Sequence, residues 1–191
     1  MAGKKKILII VAVLAIGSIG ILSFFKFRNA LGDFYLLYMY NRYPLKYDYE
    51  IVYNSGQYNL DPSLVSAVIY EESRFDPHAV SDRDAIGLMQ ILPDTASYIS
   101  SKIQDSSLDS KLSGMLQFPE TNIRYGCFYL SYLFDKYENW DYVLAAYNAG
   151  EGNVDNWVKE GDFEVKFEET KNFVERVNKS QDIYKKLYFG G

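Results

Sequence analysis

Residues 61–73 decide the fold and read DPSLVSAVIYEES. Asp61 is a helix-capping acid, and Pro62 fits the first helical position because proline has no backbone N–H group to leave unpaired. We therefore expect a helix that begins at Pro62, runs to about Ser73 and stops before Pro77. Its apolar residues recur on one face that should turn inward. They are Leu64, Val65, Val68 and Ile69.

Two adjacent glutamates lie near the end of this helix, and helical geometry distinguishes them. At roughly 100° per residue, Glu72 lies close to the middle of the apolar arc, whereas Glu71 lies about a quarter-turn outside it. A carboxyl group on an apolar face either has a partner or has its pKa raised by desolvation, and a raised pKa suits a general acid. Two interpretations stay open for Glu72: a catalytic acid, or a buried glutamate satisfied by backbone amides.

Two segments further along the chain are rich in small and amide-bearing residues. Residues 87–90 read GLMQ, and the Gln90 amide can donate and accept hydrogen bonds, which suits sugar hydroxyl and acetamido groups. Residues 145–150 read AAYNAG and bring a phenol and an amide to a helix end. The second segment also has a structural interpretation, because Asn and Gly commonly end helices. Together with Glu72, these segments point to cleavage of a glycosidic bond, which requires a protonated carboxyl group.

The remainder of the chain after residue 28 also favours helices. Proline opens two of them, at Pro93 and Pro119, and apolar residues of the second recur at spacings of three and four. Further helices are expected over residues 51–58, 106–112, 140–147 and 170–187. No alternating strand pattern of useful length occurs, so we predict a mainly α-helical domain.

The N-terminal segment has the composition of a membrane anchor. Residues 7–25 carry no charge and, at roughly 1.5 Å per helical residue, could just cross a bilayer core. The lysines at positions 4–6 favour a cytoplasmic N-terminus, which places the rest of the chain outside the cytoplasm. The alternative is a cleaved secretory signal, whose apolar stretch is normally about 7 to 15 residues long and ends in an A-x-A-like site.

We therefore divide the chain into three parts. Residues 1–28 form a cytoplasmic basic tail and a single-pass anchor, residues 29–50 an aromatic juxtamembrane segment, and residues 51–191 the domain that carries the site. A helix is expected over residues 29–43, ending at Pro44. Its aromatic side chains suit either the membrane boundary or packing against the following domain.

Charge and composition restrict the partners and the chemistry. After residue 28 there are 15 basic and 25 acidic residues, a net charge of −10, which argues against a nucleic-acid partner. Carbohydrate recognition must then use stacking and hydrogen bonds, for which the chain has 18 tyrosines. Cys127 is the single cysteine, so no internal disulfide can form, and its apolar neighbours predict a buried thiol. His78 is the single histidine, and we expect neither a metal nor a cofactor.

Four ordered motifs resemble those of the soluble lytic transglycosylase domain. They are ESRFDP at 72–77, AVS at 79–81, GLMQILPDTA at 87–96 and AAYNAG at 145–150. The resemblance covers about residues 43–188, and YPLKY at 43–47 also resembles the lead-in of membrane-anchored members. It implies a lysozyme-like, mainly helical fold that is related to goose-type lysozymes.

The resemblance also implies a peptidoglycan lytic transglycosylase in which Glu72 is the single acid/base. Glu72 would protonate the oxygen between N-acetylmuramic acid and N-acetylglucosamine and then take the proton of the muramic C6 hydroxyl. That hydroxyl would close onto C1 and leave a 1,6-anhydro end. Substrate-binding roles would fall to Ser81, Gln90, Tyr147, Asn148 and Glu169, with support from Ser73, Gly87 and Met89.

Three positions depart from the pattern of the family. Asp84 stands where glycine is usual and adds a charge, Phe173 replaces a tyrosine and loses a hydroxyl, and Leu92 replaces a frequent methionine. Two alternative functions stay open: a muramidase that uses water instead of the C6 hydroxyl, and a non-catalytic peptidoglycan-binding module. The glycan strand and the membrane are the expected partners, and no motif identifies a protein partner.

Overall fold

The computed structural model describes the backbone of residues 2–104, 112–159 and 164–190, and their side chains apart from residues 2–16, 19–22, 112 and 113. Contacts between Cα atoms divide the chain into two compact units, Met1–Pro44 and Leu45–Gly191.

The N-terminal unit is built on one helix, α1 (Ala2–Arg42). The helix predicted over residues 29–43 is the C-terminal part of α1 and not a separate element. It ends two residues before Pro44, which agrees with the steric restriction that proline places on the preceding residue. Large apolar side chains in this part are exposed, with Phe34 at 70% and Leu37 at 60%.

The predicted transmembrane anchor lies largely beyond the described side chains, which leave out most of residues 7–25. Within the described part of the chain, no helix has the combination of length and apolarity that a membrane span needs. The anchor at residues 7–25 therefore stays a prediction.

The second unit is mainly helical, as the sequence predicts. Its helices are α2 (Asp48–Gln57), α3 (Pro62–Ser73), α4 (Pro93–Ile103), α5 (Leu112–Met115), α6 (Pro119–Tyr137), α7 (Trp140–Ala149), α8 (Glu151–Lys159) and α9 (Glu168–Tyr188). The described residues contain no strand, and the loop between α3 and α4 has two isolated bridges, which pair Ile86 with Val80 and with Ile91.

Helix starts follow local chemistry, so the sequence predicts them well. The Asp61 carboxylate accepts a hydrogen bond from the backbone N–H of Ser63 at 2.8 Å and caps α3. α4 and α6 begin at Pro93 and Pro119, each after a residue with extended backbone. Because proline suits the first helical position, these three starts are confirmed.

α8 is the helix that sequence analysis missed. The helix predicted over residues 140–147 ends at Ala149, and Gly150 has a φ of +89°, a backbone conformation that glycine adopts readily because it has no Cβ. The chain then enters α8 at the next residue, Glu151. The helix predicted over residues 106–112 falls mostly outside the described residues, and α5 begins at Leu112.

α3 is the central helix of this unit. All of residues 63–70 are buried, and a helix that is buried on every side lies in the interior of its domain. α9 and α2 both pack on it. The prediction of a single buried face was therefore wrong, because α9 covers the side that the sequence pattern leaves to solvent. Ser66 tolerates this burial because its hydroxyl donates to the Pro62 carbonyl oxygen at 2.8 Å.

Candidate active site

Glu72 lies in the last turn of α3, half-buried, with its carboxyl group in a strongly desolvated position. Burial is the main cause that raises its pKa to about 8 from an ordinary value of 4.5. The positive charge of Arg176 opposes this shift, and the negative charges of Glu71 and Glu169 add to it. Among the described residues, none donates a hydrogen bond to the Glu72 carboxyl group. At neutral pH, Glu72 is therefore protonated in most of the molecules.

The neighbouring Glu71 is in a different electrostatic state. Its side chain is 4% exposed, and Ser180 Oγ of α9 donates to Glu71 Oε1 at 2.6 Å. Two guanidinium groups, of Arg74 and Arg176, donate to Glu71 Oε2 at 3.2 Å each. The sequence places Glu71 about a quarter-turn outside the apolar arc of α3, and in the structure that side of the helix is covered by α9. Glu71 is thus engaged by three donors, whereas the Glu72 carboxyl group receives no hydrogen bond from the described residues.

The predicted site residues of the loop after α3 form hydrogen bonds that hold the loop in shape. Ser73 Oγ donates to the Leu88 carbonyl oxygen at 2.8 Å and so joins the end of α3 to the segment 87–90. Ser81 Oγ accepts the backbone N–H of Ala85 at 3.0 Å. The side-chain amide of Gln90 donates to the carbonyl oxygens of Ala79 and Gly87, at 3.1 and 2.9 Å. The amide oxygen of Gln90 accepts no hydrogen bond from the described residues, so it can accept one from a ligand.

Asn122 of α6 holds the segment 87–90 from below and was missed by sequence analysis. It is fully buried, its amide nitrogen donates to the Ile86 and Leu116 carbonyl oxygens at 2.8 Å, and its oxygen accepts from Met89 N–H at 2.7 Å. Gly87 has a φ of +81°, and a Cβ there would collide with the Asn122 side chain and the Leu116 carbonyl. The position of Asn122 in a helix that begins at Pro119 does not indicate that it holds the segment 87–90.

Met89 and Tyr147 connect the loop to α6 and α7. The Met89 side chain is fully buried and packs on Gly126, where a Cβ would collide with its sulfur. Tyr147 donates its hydroxyl hydrogen to the Met89 carbonyl oxygen at 2.7 Å. Burial, and then the negative charge of Glu72, hold the pKa of Tyr147 well above its ordinary value. Tyr147 therefore lies close enough to Glu72 for the Glu72 charge to act on its pKa.

Asn148 and Glu169 bring the start of α9 to the site. Asn148 Oδ1 accepts a hydrogen bond from the hydroxyl of Thr170 at 2.8 Å, and Thr170 is buried. Glu169 precedes Thr170 and is exposed, yet its charge contributes to the raised pKa of Glu72. The structure thus gives the two predicted residues different roles: Asn148 tethers the start of α9, and Glu169 lies near enough for its charge to act on Glu72.

A row of half-buried tyrosines leads away from Tyr147. Its ring centroid lies 5.6 Å from that of Tyr129, which lies 6.2 Å from Tyr132, and Tyr132 lies 5.6 Å from Tyr98 of α4. The hydroxyls of Tyr129 and Tyr132 donate to the carboxylate of Glu151, at 3.5 and 3.3 Å. The row joins α4, α6 and α7, and through Glu151 it contacts α8, the helix absent from the sequence prediction.

Charged groups on α6 and α8 fix the far side of this row. Lys136 Nζ lies 2.9 Å from Glu151 Oε2 and 2.9 Å from Asp155 Oδ2. Tyr137 donates to Asp155 Oδ1 at 2.8 Å. These contacts hold α8 against α6, with the positive charge on α6 and the negative charges on α8.

The three departures from the family pattern have different structural consequences. Asp84 has a φ of +61°, the left-handed region where glycine is favoured and where aspartate is among the better-tolerated alternatives. Phe173 is buried in α9, with 2% of its surface exposed. Leu92 is 41% exposed at the start of α4. Of the three, only Asp84 occupies a strained backbone position.

Two further sequence predictions concern metal ions and the thiol. Within residues 2–104, 112–159 and 164–190, no three His, Cys, Asp or Glu side chains are grouped as metal ligands. Cys127 is fully buried, as predicted, and burial raises the pKa of its thiol far above the ordinary value. Such a thiol is inert as a nucleophile at neutral pH.

Comparison with known proteins agrees with this geometry. The family described as "Transglycosylase SLT domain" matches residues 49–170. The soluble lytic murein transglycosylase of Escherichia coli K12 is 34% identical over 160 residues, which cover 78% of this chain and 24% of the relative. The membrane-bound lytic murein transglycosylase C of Photorhabdus laumondii is 38% identical over 108 residues, covering 52% of this chain and 30% of the relative. This chain thus spans about a quarter of the soluble relative's length.

Solved structures show the same fold. The 70 kDa soluble lytic transglycosylase of E. coli superimposes with a TM-score of 0.73 at 30% identity, over 80% of this chain and 26% of that one. A complex of the 70 kDa soluble lytic transglycosylase with bulgecin A gives a TM-score of 0.74 at 30% identity over the same shares of both chains. An inactive glutamate-to-glutamine mutant of the Pseudomonas aeruginosa enzyme gives 0.70 at 31% identity, over 78% of this chain and 25% of that one. The lysozyme-like helical fold of the transglycosylase domain is therefore confirmed for the second unit.

Proposed function

The chain belongs to the transglycosylase SLT domain family, and we propose that it cleaves peptidoglycan glycan strands as a lytic transglycosylase. The observation that carries the proposal is the state of Glu72: desolvated, with a pKa raised to about 8, and receiving no hydrogen bond from the described residues. Such a carboxyl group can donate a proton at neutral pH. The E. coli relative is named a murein transglycosylase, and the P. aeruginosa relative is inactive as a glutamate-to-glutamine mutant.

Glu72 acts as the single acid/base in this proposal. It first donates its proton to the oxygen that joins C1 of N-acetylmuramic acid to N-acetylglucosamine, and the C1–O bond breaks. The carboxylate that results then removes the proton of the C6 hydroxyl on the same muramic residue. The C6 oxygen bonds to C1, which closes a 1,6-anhydro ring and returns Glu72 to its protonated form. A second, nucleophilic carboxylate of the kind that retaining hydrolases use is not needed.

The other predicted site residues receive roles that their contacts support. The amide oxygen of Gln90 accepts a hydrogen bond from the sugar, while its nitrogen holds the loop through Ala79 and Gly87. Ser81 hydrogen-bonds the sugar near the cleavage site while its oxygen holds the loop through Ala85. Ser73, Gly87 and Met89 support the loop, as their buried contacts indicate.

The residues of α7 and α9 form the other side of the proposed site. Tyr147 orients the substrate beside Glu72, with its own hydroxyl fixed on Met89. Asn148 shapes the end of α7 through its contact with Thr170, and Glu169 lines the groove. The tyrosines next to Tyr147 suit stacking on sugar rings, which agrees with a partner recognised without net charge attraction.

We also propose where the enzyme works. Residues 1–28 form a basic tail and one transmembrane helix at 7–25, residues 29–50 a juxtamembrane segment, and residues 51–191 the extracytoplasmic catalytic domain. The uncharged run at 7–25, the exposed aromatic side chains of α1 and the similarity to a relative named membrane-bound support this arrangement.

Product analysis tests the proposed reaction. Purified peptidoglycan is digested with the protein, and the fragments are examined by mass spectrometry before and after borohydride reduction. Glycan ends that resist reduction and are one water lighter would support the transglycosylase. Fully reducible ends would instead identify a hydrolytic muramidase.

A matched pair of variants tests the role of Glu72 in the same assay. Glu72→Gln removes the acid and keeps the size of the side chain, and the control Glu175→Gln changes an exposed glutamate of α9. We expect fragments from the control and none from Glu72→Gln. Binding of insoluble peptidoglycan by wild type without any fragments would identify a non-catalytic binding module.

A further inference from the structure

Glu71 is the buried charge that the proposed reaction does not use. Three donors surround its carboxylate: Ser180 Oγ at 2.6 Å, Arg176 Nε at 3.2 Å and an Arg74 nitrogen at 3.2 Å. Arg74 is itself held in place, because its guanidinium lies 3.9 Å from the centroid of the Tyr70 ring. Since Arg74 and Tyr70 belong to the α3 end while Arg176 and Ser180 belong to α9, the Glu71 carboxylate joins the two helices.

Arg176 stands between two carboxyl groups that are adjacent in the sequence. Its side chain is 50% exposed, its Nε–H donates to Glu71, and its positive charge also acts on Glu72. The described structure shows no hydrogen bond between Arg176 and Glu72. An arginine that paired directly with Glu72 would stabilise the carboxylate and remove the proton that the acid must donate.

We propose that Glu71 is a positioning residue that holds Arg176 on itself and thereby keeps the guanidinium from pairing with Glu72. The inference rests on the proposed function only in taking Glu72 as the acid. Glu71 acts through Arg176 and touches neither the substrate nor the reacting atoms. Its own negative charge has the same direction of effect, since a neighbouring anion disfavours ionisation of Glu72.

The groups that face Glu72 come from three helices. α3 contributes Glu71, α9 contributes Arg176 and Glu169, and α7 contributes Tyr147. The two glutamates favour the protonated form of Glu72, and Arg176 favours the carboxylate. Tyr147 is neutral over the working range because its pKa lies well above the ordinary value. Arg176 is thus the single cation among the groups that act on Glu72 in the described chain.

A purely structural role for the same contacts makes a different prediction. If the Glu71–Arg176 pair only attached α9 to α3, loss of either partner would lower activity by the same factor at every pH. If the pair controls the proton on Glu72, the two partners must have opposite effects on its titration, because their charges have opposite signs.

The experiment compares Glu71→Gln, Arg176→Gln and the control Glu175→Gln in the full chain. The alkaline limb of kcat/KM against pH, measured on solubilised peptidoglycan, reports loss of the proton from the essential acid. We expect Glu71→Gln to move this limb to lower pH by about one unit and Arg176→Gln to move it to higher pH by a similar amount, the order of shift that a nearby charge causes. The control should leave it in place.

Carbon-13 NMR of labelled glutamate carboxyl groups reads the same proton without catalysis. The Glu72 signal is assigned by its absence in Glu72→Gln, and its titration midpoint should move in the same two directions. Unchanged midpoints, or shifts of both variants in the same direction, would overturn the inference. Arg176→Gln keeps the bonds of Glu71 to Ser180 and Arg74, so an unchanged midpoint in this variant would overturn the inference even if Glu71→Gln does not fold.

The two measurements separate this inference from the proposed function. NMR midpoints that move in opposite directions support the positioning role even where peptidoglycan is not cut. If the protein cuts peptidoglycan and Glu72→Gln does not, while both midpoints stay in place, the function stands and the positioning role falls.

Discussion

α3 and α9 meet along their lengths but differ in how they contribute to the site. α3 is buried over residues 63–70, and its last turn carries Glu72. α9 buries one side only: Ser180 lies on the buried side, whereas Glu169 and Arg176 are exposed. The central helix thus holds the proposed acid in a desolvated position, and the peripheral helix provides charges that act on its pKa. The buried helix α3 therefore fixes the position of Glu72, and charged residues of α9 influence its pKa.

The largest expected effect comes from comparing the loss of Glu72 in α3 with the loss of Glu169 in α9. Glu72→Gln should lower kcat by about 10²- to 10⁴-fold, the range for loss of a general acid–base. Glu169→Gln removes a nearby charge and leaves the acid, so it should lower kcat by about tenfold or less, since it shifts the pKa of Glu72 only modestly. Initial rates on solubilised peptidoglycan at pH 7 measure both. Similar losses for both variants would show that α9 also provides a reacting group.

Stability should distinguish the two helices as well. Ile69 of α3 is fully buried, and Ile69→Ala should lower the free energy of unfolding by about 3 kcal/mol through lost burial and a cavity. Lys179 of α9 is exposed, and Lys179→Ala should change it by less than about 0.5 kcal/mol. Urea denaturation monitored by circular dichroism gives both values. A large loss for Lys179→Ala would mean that α9 is packed on more than one side.

The raised pKa of Glu72 predicts a pH-dependent cost in stability. Below about pH 4.5, Glu72 is neutral in both the folded and the unfolded chain, so it has no effect. Between about 4.5 and 8, the unfolded chain ionises and the folded chain does not, so the free energy of unfolding falls as pH rises. Above about 8 the cost is complete.

Replacing Glu72 should therefore stabilise the protein in alkali. We expect Glu72→Gln to gain about 2 kcal/mol over wild type at pH 9, allowing for solvent on the groove side, and almost nothing at pH 4. Thermal unfolding at the two pH values measures the difference. A gain that is equal at both pH values would show that Glu72 is not desolvated.

The smallest expected effect concerns the tether at the start of α9. Thr170→Val removes the hydroxyl that donates to Asn148 and should cost about 1 kcal/mol of stability. Loss of this tether should also displace Glu169, the preceding residue, which lines the proposed groove. If α9 positions the substrate, KM should therefore rise more than kcat falls. Thr170→Ser keeps the hydroxyl and should restore KM. If KM stays unchanged in Thr170→Val, Asn148 and Thr170 serve the fold alone.

Sequence reasoning worked best where the cause is local. The starts of α3, α4 and α6 follow from Asp61, Pro93 and Pro119, because capping and proline sterics act within a turn. Helical geometry favoured Glu72 over Glu71, and desolvation raises the pKa of Glu72, but the sequence did not show that α9 also buries Glu71. α8 was missed because a glycine after a helix usually marks a stop, and here a second helix begins directly after Gly150.

Residues that act across long sequence distances gave no local signal. Asn122 holds the backbone of Ile86 and Met89, more than thirty positions away, and on α6 it reads as an ordinary polar residue. Gly87 gives a clearer signal in the sequence, because its positive φ and the close approach of Asn122 and Leu116 both require a residue without a side chain. The contact of Glu71 with Ser180 joins residues 109 positions apart, so no periodicity within α3 could predict it.

The sequence by itself determined the mainly helical fold, the starts of the main helices, the family motifs and the identity of the candidate acid. These depend on interactions between residues close in the chain, or on ordered motifs that can be read directly. Only the tertiary structure decided the protonation state of that acid, because desolvation and the charges of Arg176 and Glu169 arise when α9 packs on α3. Two neighbouring glutamates on one helix thus differ in chemistry because different parts of the fold surround them.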